Sequence, residues 1–514
     1  MSVRQPSVFK DALKSFGRPV YRTALLLYLV MNSLASHAKG DFEFTPALIA
    51  AYSDIQKLRI EKARSVLDLE AGKGTKNGVI PYLESYSDFF FFLITDSQRE
   101  YNRFLKSQED RLEFIEGLSD ESPYQRMFMA EVRLHSAFVK LKFGNRTSGC
   151  WDIIKANRLL LENLKKFPDF IPQLKALGLL HVMIGSVPEE YQWVARLMGL
   201  RGSIKEGMAE LKRVETGSRL FAKEARVTSL LLHAYILAPD EEMIQRLREL
   251  PYNEPDNLLF HFLSASILMK RGQSEAALAI LQQAPAANGY LPFPFLHYMK
   301  AEINLQKGLY PSARASYVDF IKHTRGVNFV KDSFFKQYLC QWLDGQPADK
   351  GILASVAKVG GGNVEADKHA RKVAEQFLAG RIGAEQKVLF EARYAFDGGF
   401  ISRARSRLKG LTEQSFKLPQ ARVEYLYRMG RIAQHENENS EALRFFEKTV
   451  TQSEGTDLYF GASAALQLGY LYQEAGDPRK AAVYFRKAMS FKRHEYKNSI
   501  DNKARAALTE MGVK

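Results

Sequence analysis

The residues whose spacing could signal catalysis in this chain are ten scattered histidines, two cysteines and a few glycine-rich turns. No two histidines stand in an H-x-x-x-H or His-Glu-x-x-His arrangement, the helical spacing that puts two imidazoles on one zinc ion. His435-Glu436-Asn437-Glu438 sets an imidazole beside two carboxylates, the makings of acid/base chemistry, but it reads better as a polar turn between two helices. Gly72-Lys73-Gly74-Thr75 has part of a phosphate-cradling loop. Leu67 stands where its first glycine belongs, and Gly74 where a hydroxyl should follow the lysine. Gly360-Gly361-Gly362-Asn363 lacks the lysine altogether, and no G-x-S-x-G elbow is present. Cys150 and Cys340 lie 190 residues apart and suggest two isolated, buried thiols, with a single disulfide as the alternative. The expectation is a protein with no catalytic residues, no metal and no cofactor.

The elements that would carry any function are helices arranged in a repeat. Ala465, Leu468, Gly469, Tyr472, Gly476, Ala481, Phe485 and Ala488 fall at positions 4, 7, 8, 11, 15, 20, 24 and 27 counted from Ala462. Small residues at Gly469 and Ala481 let two antiparallel helices approach, while Tyr472 and Phe485 fill the space around them. In residue types and spacing this segment resembles the tetratricopeptide repeat (TPR). Looser copies run from Arg422 to Ser453, from Glu385 to Thr412, from Leu258 to Pro285 and from Pro294 to Thr324. A single helix pair cannot bury its apolar face alone, so such pairs stack. The resemblance implies an all-α, right-handed superhelical solenoid of antiparallel helix pairs.

The N-terminal half is less regular. Apolar stripes at helical spacing predict helices over Tyr124–Asn145 and Trp151–Phe167, with Pro168 as a stop. Pro46–Leu69 and Ile80–Thr95 read as an earlier pair, with Thr45 as the first N-cap. The run Phe89 to Leu93 leaves no polar face and predicts a helix buried between neighbours, a buried strand being the competing reading. Gly185–Gly202 reads as a short helix between turns, and Gly360–Gly362 as a flexible turn between two arrays. The expected organisation is a signal peptide over 1–38, degenerate helical repeats over 39–250, middle TPR-like repeats over 251–324, an irregular helical connection over 325–384, C-terminal TPR-like repeats over 385–491 and a capping helix over 492–514.

The first 22 residues carry five basic side chains against Asp11 alone, followed by the apolar stretch Thr23–Leu34 and the small-x-small site Ser36-His37-Ala38. That is the order of a secretory signal peptide, with a mitochondrial presequence as the rival. The apolar stretch falls short of the roughly 20 residues that span a bilayer, so no stable membrane span is expected after cleavage. Export to the periplasm is the expected localisation. With its leader, the chain also resembles secreted TPR proteins of bacteria with an outer membrane. The formal charge of +15 could attract acidic partners, but Lys and Arg are interleaved with Glu and Asp. The densest basic run, Arg403, Arg405, Arg407 and Lys409, fans over more than one helix face and reads as solvated surface.

The TPR resemblance implies that positions 2, 5, 9, 12 and 13 of each repeat face a concave groove. Carried onto this chain, they select Tyr298 and Glu302 in the middle array, and Arg393, Phe396, Tyr427, Arg431, Gln434, Tyr470 and Gln473 in the C-terminal one. Arg can bond a carboxylate through two N–H groups and Tyr adds apolar area, so an extended peptide with acidic groups is the expected ligand. Leu389 and Arg393 occupy positions where chaperone-binding TPR proteins carry a Lys and Asn clamp, so that clamp is not expected. The function implied is a non-enzymatic protein-interaction scaffold. A nucleic-acid-binding repeat protein is the first alternative, disfavoured because no regular base-reading code recurs between repeats; an enzyme on a helical array is the second.

Overall fold

The computed structural model describes residues 41–512 except 188, 238–240, 287 and 363. The signal-peptide reading of 1–38 lies outside the described residues. Twenty-five α-helices and no strand occur among the described residues. The all-α solenoid of antiparallel helix pairs is what the structure shows.

The N-terminal region comprises α1 (Pro46–Gln56), α2 (Ile60–Ala71), α3 (Val79–Thr95), α4 (Tyr101–Glu116), α5 (Pro123–Lys142), α6 (Arg146–Lys166), α7 (Leu174–Gly185), α8 (Glu189–Leu197), α9 (Ile204–Gly217), α10 (Ala222–Tyr235) and α11 (Glu241–Asn253). The middle array holds α12 (Leu258–Lys270), α13 (Ser274–Gln282), α14 (Phe295–Lys307) and α15 (Tyr310–His323). The connection folds as α16 (Val330–Leu343), α17 (Lys350–Ser355) and α18 (Glu365–Leu378). The C-terminal array is α19 (Lys387–Asp397), α20 (Ile401–Leu408), α21 (Pro419–His435), α22 (Asn439–Gln452), α23 (Tyr459–Glu474) and α24 (Pro478–Ser490), closed by α25 (Lys497–Glu510). Helices consecutive in the chain make the main contacts, as α5 with α6, α14 with α15, α21 with α22 and α23 with α24.

The best-formed pair shows why its residue types are what they are. A Cβ on Gly469 would stand 2.4 Å from the ring of Phe485, so α23 and α24 meet at hydrogen-for-side-chain distance. Ala481, Phe485 and Ala488 are fully buried on the facing helix, and Tyr472 stacks on Tyr484 with ring centres 5.4 Å apart. The helix α25 then covers the exposed end of that pair.

Several local expectations need correction. The helix expected over Pro46–Leu69 is two helices, because Leu58 adopts a left-handed backbone (φ 65°) that no α-helix can contain. Leu58 then offers its carbonyl to the N–H of Leu291 at 2.8 Å. Both cysteines are free, but only Cys340 is buried; Cys150 is exposed on α6. The glycine turn at Gly360–Gly361 is packed down, with Gly361 N–H donating to the carbonyl of Val327 at 2.8 Å. The basic run at α20 is solvated only in part: Arg407 and Lys409 are exposed, while Arg403 and Arg405 are half-buried. Arg403 reaches the carbonyl of Lys307 in the middle array, Arg405 pairs with Glu436 and Glu438 in the next repeat, and Arg407 lies 3.5 Å from Glu391. The Glu436 and Glu438 carboxylates are thereby occupied as partners of Arg405.

The array does not run straight. Lys57 and Arg59, between α1 and α2, bond Asp256 at 2.8 and 3.0 Å, and Arg59 stacks on Tyr290 with its guanidinium carbon 5.1 Å from the ring centre. Asp96, at the end of α3, accepts from the side chain of Asn328 at 2.8 Å. Further on, α14 packs on α19, and Ser274 N–H donates to the carbonyl of Gly398 at 3.3 Å. The early helices are thus bent round onto the middle array, and the middle onto the C-terminal one.

Candidate functional site

The helices α19 and α21 lie side by side, and each brings two side chains at helical spacing to a common cleft. Arg393 and Phe396 come from α19, Tyr427 and Arg431 from α21. With Asp397, Arg428, Tyr459 and Tyr496 they line a cavity of about 160 Å³. Tyr459 enters from the first turn of α23, and Tyr496 from the residue before α25, packed edge-on against it with ring centres 5.1 Å apart.

Three guanidinium groups meet here with two carboxylates. Arg428 binds Glu424 at 2.7 Å through Nη2 and 3.1 Å through Nε, four residues back on its own helix. Arg393 lies 3.8 Å from Asp397. Arg431 has neither carboxylate: its Nη1 donates to the Tyr427 hydroxyl at 3.3 Å, its guanidinium carbon stands 5.1 Å from the centre of the Phe396 ring, and its buried Nε has no hydrogen-bond partner. The cleft therefore carries one positive charge in excess, framed by aromatic rings. A cation at a ring face is favourable, and a planar donor fork beside it is suited to a carboxylate.

Arg393 also donates through Nη1 to Nε2 of His369 at 3.3 Å. An Nε2 that accepts leaves the ring proton on Nδ1, which lies 3.9 Å from a carboxylate oxygen of Glu495. Burial, followed by Arg393 and the other nearby cations, pushes the imidazole down to about 3. The sign is fixed by linkage: the unfolded chain takes up a proton near pH 6.5 that the folded chain refuses. Stability should therefore fall as pH drops from about 6.5 towards 3, and urea unfolding midpoints should show a shallower fall in His369→Gln; an equal slope would rule His369 out.

Of the sequence-derived groove residues, Arg393, Phe396, Tyr427 and Arg431 are brought together. Gln434, Tyr470 and Gln473 lie outside this cleft, half-buried, with Tyr470 packed on Phe485 at a ring distance of 5.2 Å. Tyr298 and Glu302 are not groove residues, because α15 and α16 cover the face of α14 that carries them. Tyr298 donates to Asp332 at 2.7 Å, and Glu302 pairs with Lys336 at 2.6 Å. Sequence reasoning missed Arg428, Tyr459 and Tyr496. The first directly follows Tyr427, but the other two lie before and after the last repeat, where no repeat position points to them.

Among the described residues one group offers metal-type ligands: His181, Glu206 and Glu210, whose ligand atoms lie within 4.8 Å of one another. His181 Nδ1 is already bonded to Glu210 at 2.8 Å and Glu206 is exposed, so the pair reads as a bridge between α7 and α9.

Comparison with known proteins agrees with the best-formed pair. The family model for the tetratricopeptide repeat matches residues 462–495. Residues 462–495 are thus similar to a tetratricopeptide repeat. No curated protein matches the chain. Among solved structures, the P58(IPK) TPR domain is 15% identical with a TM-score of 0.23, over 80% of this chain and 98% of its own. The Cut9-Hcn1 hetero-tetramer of the APC/C is 12% identical with a TM-score of 0.27, over 90% of this chain and 89% of its own. These values measure a loose likeness, and the stacking of antiparallel helix pairs is seen in the helix contacts themselves. No helix among the described residues is long and apolar enough to cross a membrane.

Proposed function

We propose that the chain is a non-enzymatic protein-interaction scaffold that holds an acidic segment of a partner protein at the cleft between α19 and α21. The observation that carries this reading is the Arg431 guanidinium, without a carboxylate of its own and with an unpartnered buried Nε, beside Arg393 and four aromatic side chains. At about 160 Å³ the cleft is smaller than the roughly 300–1,000 Å³ of small-molecule sites and suits one anchoring side chain or terminal carboxylate. The partner's remaining contacts would be made along the repeats on either side, as in extended-peptide recognition. The leader sequence supports placing this activity after export, in the periplasm.

The test is a panel of fluorescein-labelled ten-residue peptides, acidic, basic and neutral, measured by anisotropy against the wild-type chain and against Arg393→Gln with Arg431→Gln. Acidic peptides should bind in preference to basic ones. The double variant should lose at least tenfold in affinity, about 1.4 kcal/mol, with its circular dichroism unchanged. Equal affinity for acidic and basic peptides, or an unimpaired double variant, would overturn the assignment.

A further inference from the structure

A second and much larger cavity, of about 920 Å³, lies where the N-terminal helices bend onto the middle array. Its wall is built from single helix faces at helical spacing. From α3 come Tyr86, Phe89, Phe90, Leu93 and Ile94; from α5, Glu131, Leu134, His135, Phe138 and Leu141; from α10, Glu224, Val227, Thr228 and Leu231. The middle array closes the far side with Phe262, Phe293 and Phe295, joined by Phe329 from the residue before α16. Gly144 and Arg146, both exposed, mark where the space meets solvent. A cavity of this size falls within the range that holds a small organic molecule, and most of its wall is apolar.

One end is different. Lys175 on α7 is buried between two carboxylates, with Nζ 2.9 Å from Glu131 and 2.9 Å from Glu224, and 4.8 Å from the centre of the Phe221 ring. Tyr52 donates to Glu224, and the Tyr82 hydroxyl lies 3.4 Å from the lysine. Within this cluster Oε1 of Glu131, 4% exposed as a residue, is a buried carboxylate oxygen without a close hydrogen-bond partner, the Tyr82 hydroxyl being the neighbouring donor. His135 on the same helix face bonds Ser85 at 2.9 Å, and burial, with Lys175 and Arg111 next, holds it well below its ordinary range, hence neutral. The pole thus offers an unsatisfied acceptor and one more negative than positive group. The remaining charged lining groups sit towards the opening: Lys142 bonds the carbonyl of Leu93 at 2.5 Å and lies 3.7 Å from Asp96, and Arg146 faces solvent.

We infer that this cavity binds a single-chain amphiphile whose hydrogen-donating head, an ammonium or hydroxyl group, bonds Glu131 while its hydrocarbon body lies along the phenylalanines of α3, α5 and the middle array. A peptide is a poor occupant, because its amides would go unpaired against a wall with so few polar groups. An anionic head is disfavoured at the pole by the two carboxylates. This site is independent of the cleft between α19 and α21.

The test uses the full chain loaded with Nile red, a neutral apolar dye, and displaced by dodecylamine, dodecanol or dodecanoate below their micelle concentrations. Dodecylamine should displace the dye at a concentration at least tenfold lower than dodecanoate, with dodecanol between them. Leu231→Trp, which fills the wall from α10, should abolish dye binding. Glu131→Gln should bring amine and carboxylate within threefold of each other. If that variant does not fold, the wild-type ratio and Leu231→Trp decide the matter. A ratio near one, or a preference for dodecanoate through Lys142 and Arg146 at the opening, overturns the assignment of the head. Dye binding undiminished by Leu231→Trp, or no dye binding by the full chain, overturns the site itself.

Discussion

Gly399→Ala should cost about 3 kcal/mol or more and separate the C-terminal array from the middle one. Gly399 lies in the turn between α19 and α20 with φ 84°, facing Gly272 in the turn between α12 and α13, whose φ is 67°. A Cβ at position 399 would stand 1.8 Å from the carbonyl oxygen of Gly272. Two costs combine. The left-handed backbone alone disfavours an L side chain by about 1–2 kcal/mol. The clash is with backbone, so it is relieved only by moving the turns apart, which also strains the bond from Ser274 N–H to Gly398 and the contact of Arg403 with Lys307. Gly410→Ala is the internal control, since Gly410 has a similar φ of 78° but nothing within 4 Å of its Cβ position. That control should lose only the conformational part. Urea denaturation should show a second, earlier transition in Gly399→Ala, as expected when neighbouring blocks of a repeat protein uncouple. Equal losses in the two variants would mean that the close approach carries no energy.

Lys336→Met should lose about 3–5 kcal/mol, the range for breaking a buried ion pair from one side. Lys336 Nζ stands 2.6 Å from Glu302 and 2.7 Å from Asp332, with the three side chains 9%, 15% and 3% exposed. Burial, only partly offset by Lys336, already pushes the Asp332 carboxyl up to about 6. Without the ammonium, the Asp332 carboxyl faces Glu302 uncompensated and its pKa rises further. A carboxyl whose folded pKa lies above its unfolded value destabilises at high pH and is relieved as pH falls through the folded value. The deficit of Lys336→Met should therefore be largest near pH 8 and shrink towards pH 5. Adding Glu302→Gln and Asp332→Asn should recover most of it, because the hydroxyls of Tyr298 and Tyr317 can still donate to the amide oxygens. A pH-independent deficit would point to lost packing of the lysine stem instead.

The two clefts were not equally legible in the amino-acid order. At the C-terminal end the TPR resemblance implied a shared groove for Arg393, Phe396, Tyr427 and Arg431, and these four do line one cleft. The same resemblance misassigned Tyr298 and Glu302, because α16 packs across α14 and turns a would-be inner face into an interior. The larger cavity left no separable signal. Its stripes on α3 and α5 have the same 3.6-residue period as a core-facing helix, so Phe89 and Phe138 read as packing whether the far side is filled or hollow. What decides between them is the bend of the array, made by Leu58, Asp96 and Asn328, and contacts between residues some 230 apart in the chain have no local pattern. Cys150 failed for a simpler reason: residue type is only a statistical guide to burial.

The bend also sets a clock on biosynthesis. Asp96 and Asn328 are separated by 232 residues. At translation rates of about 5–20 residues per second, the apolar face of α3 would wait roughly 12–46 seconds for the segment at Asn328 that closes over it. During that interval the nascent chain presents a sticky phenylalanine surface, the sort that chaperones grip. Release from such a holder would coincide with the moment the last wall of the cavity arrives.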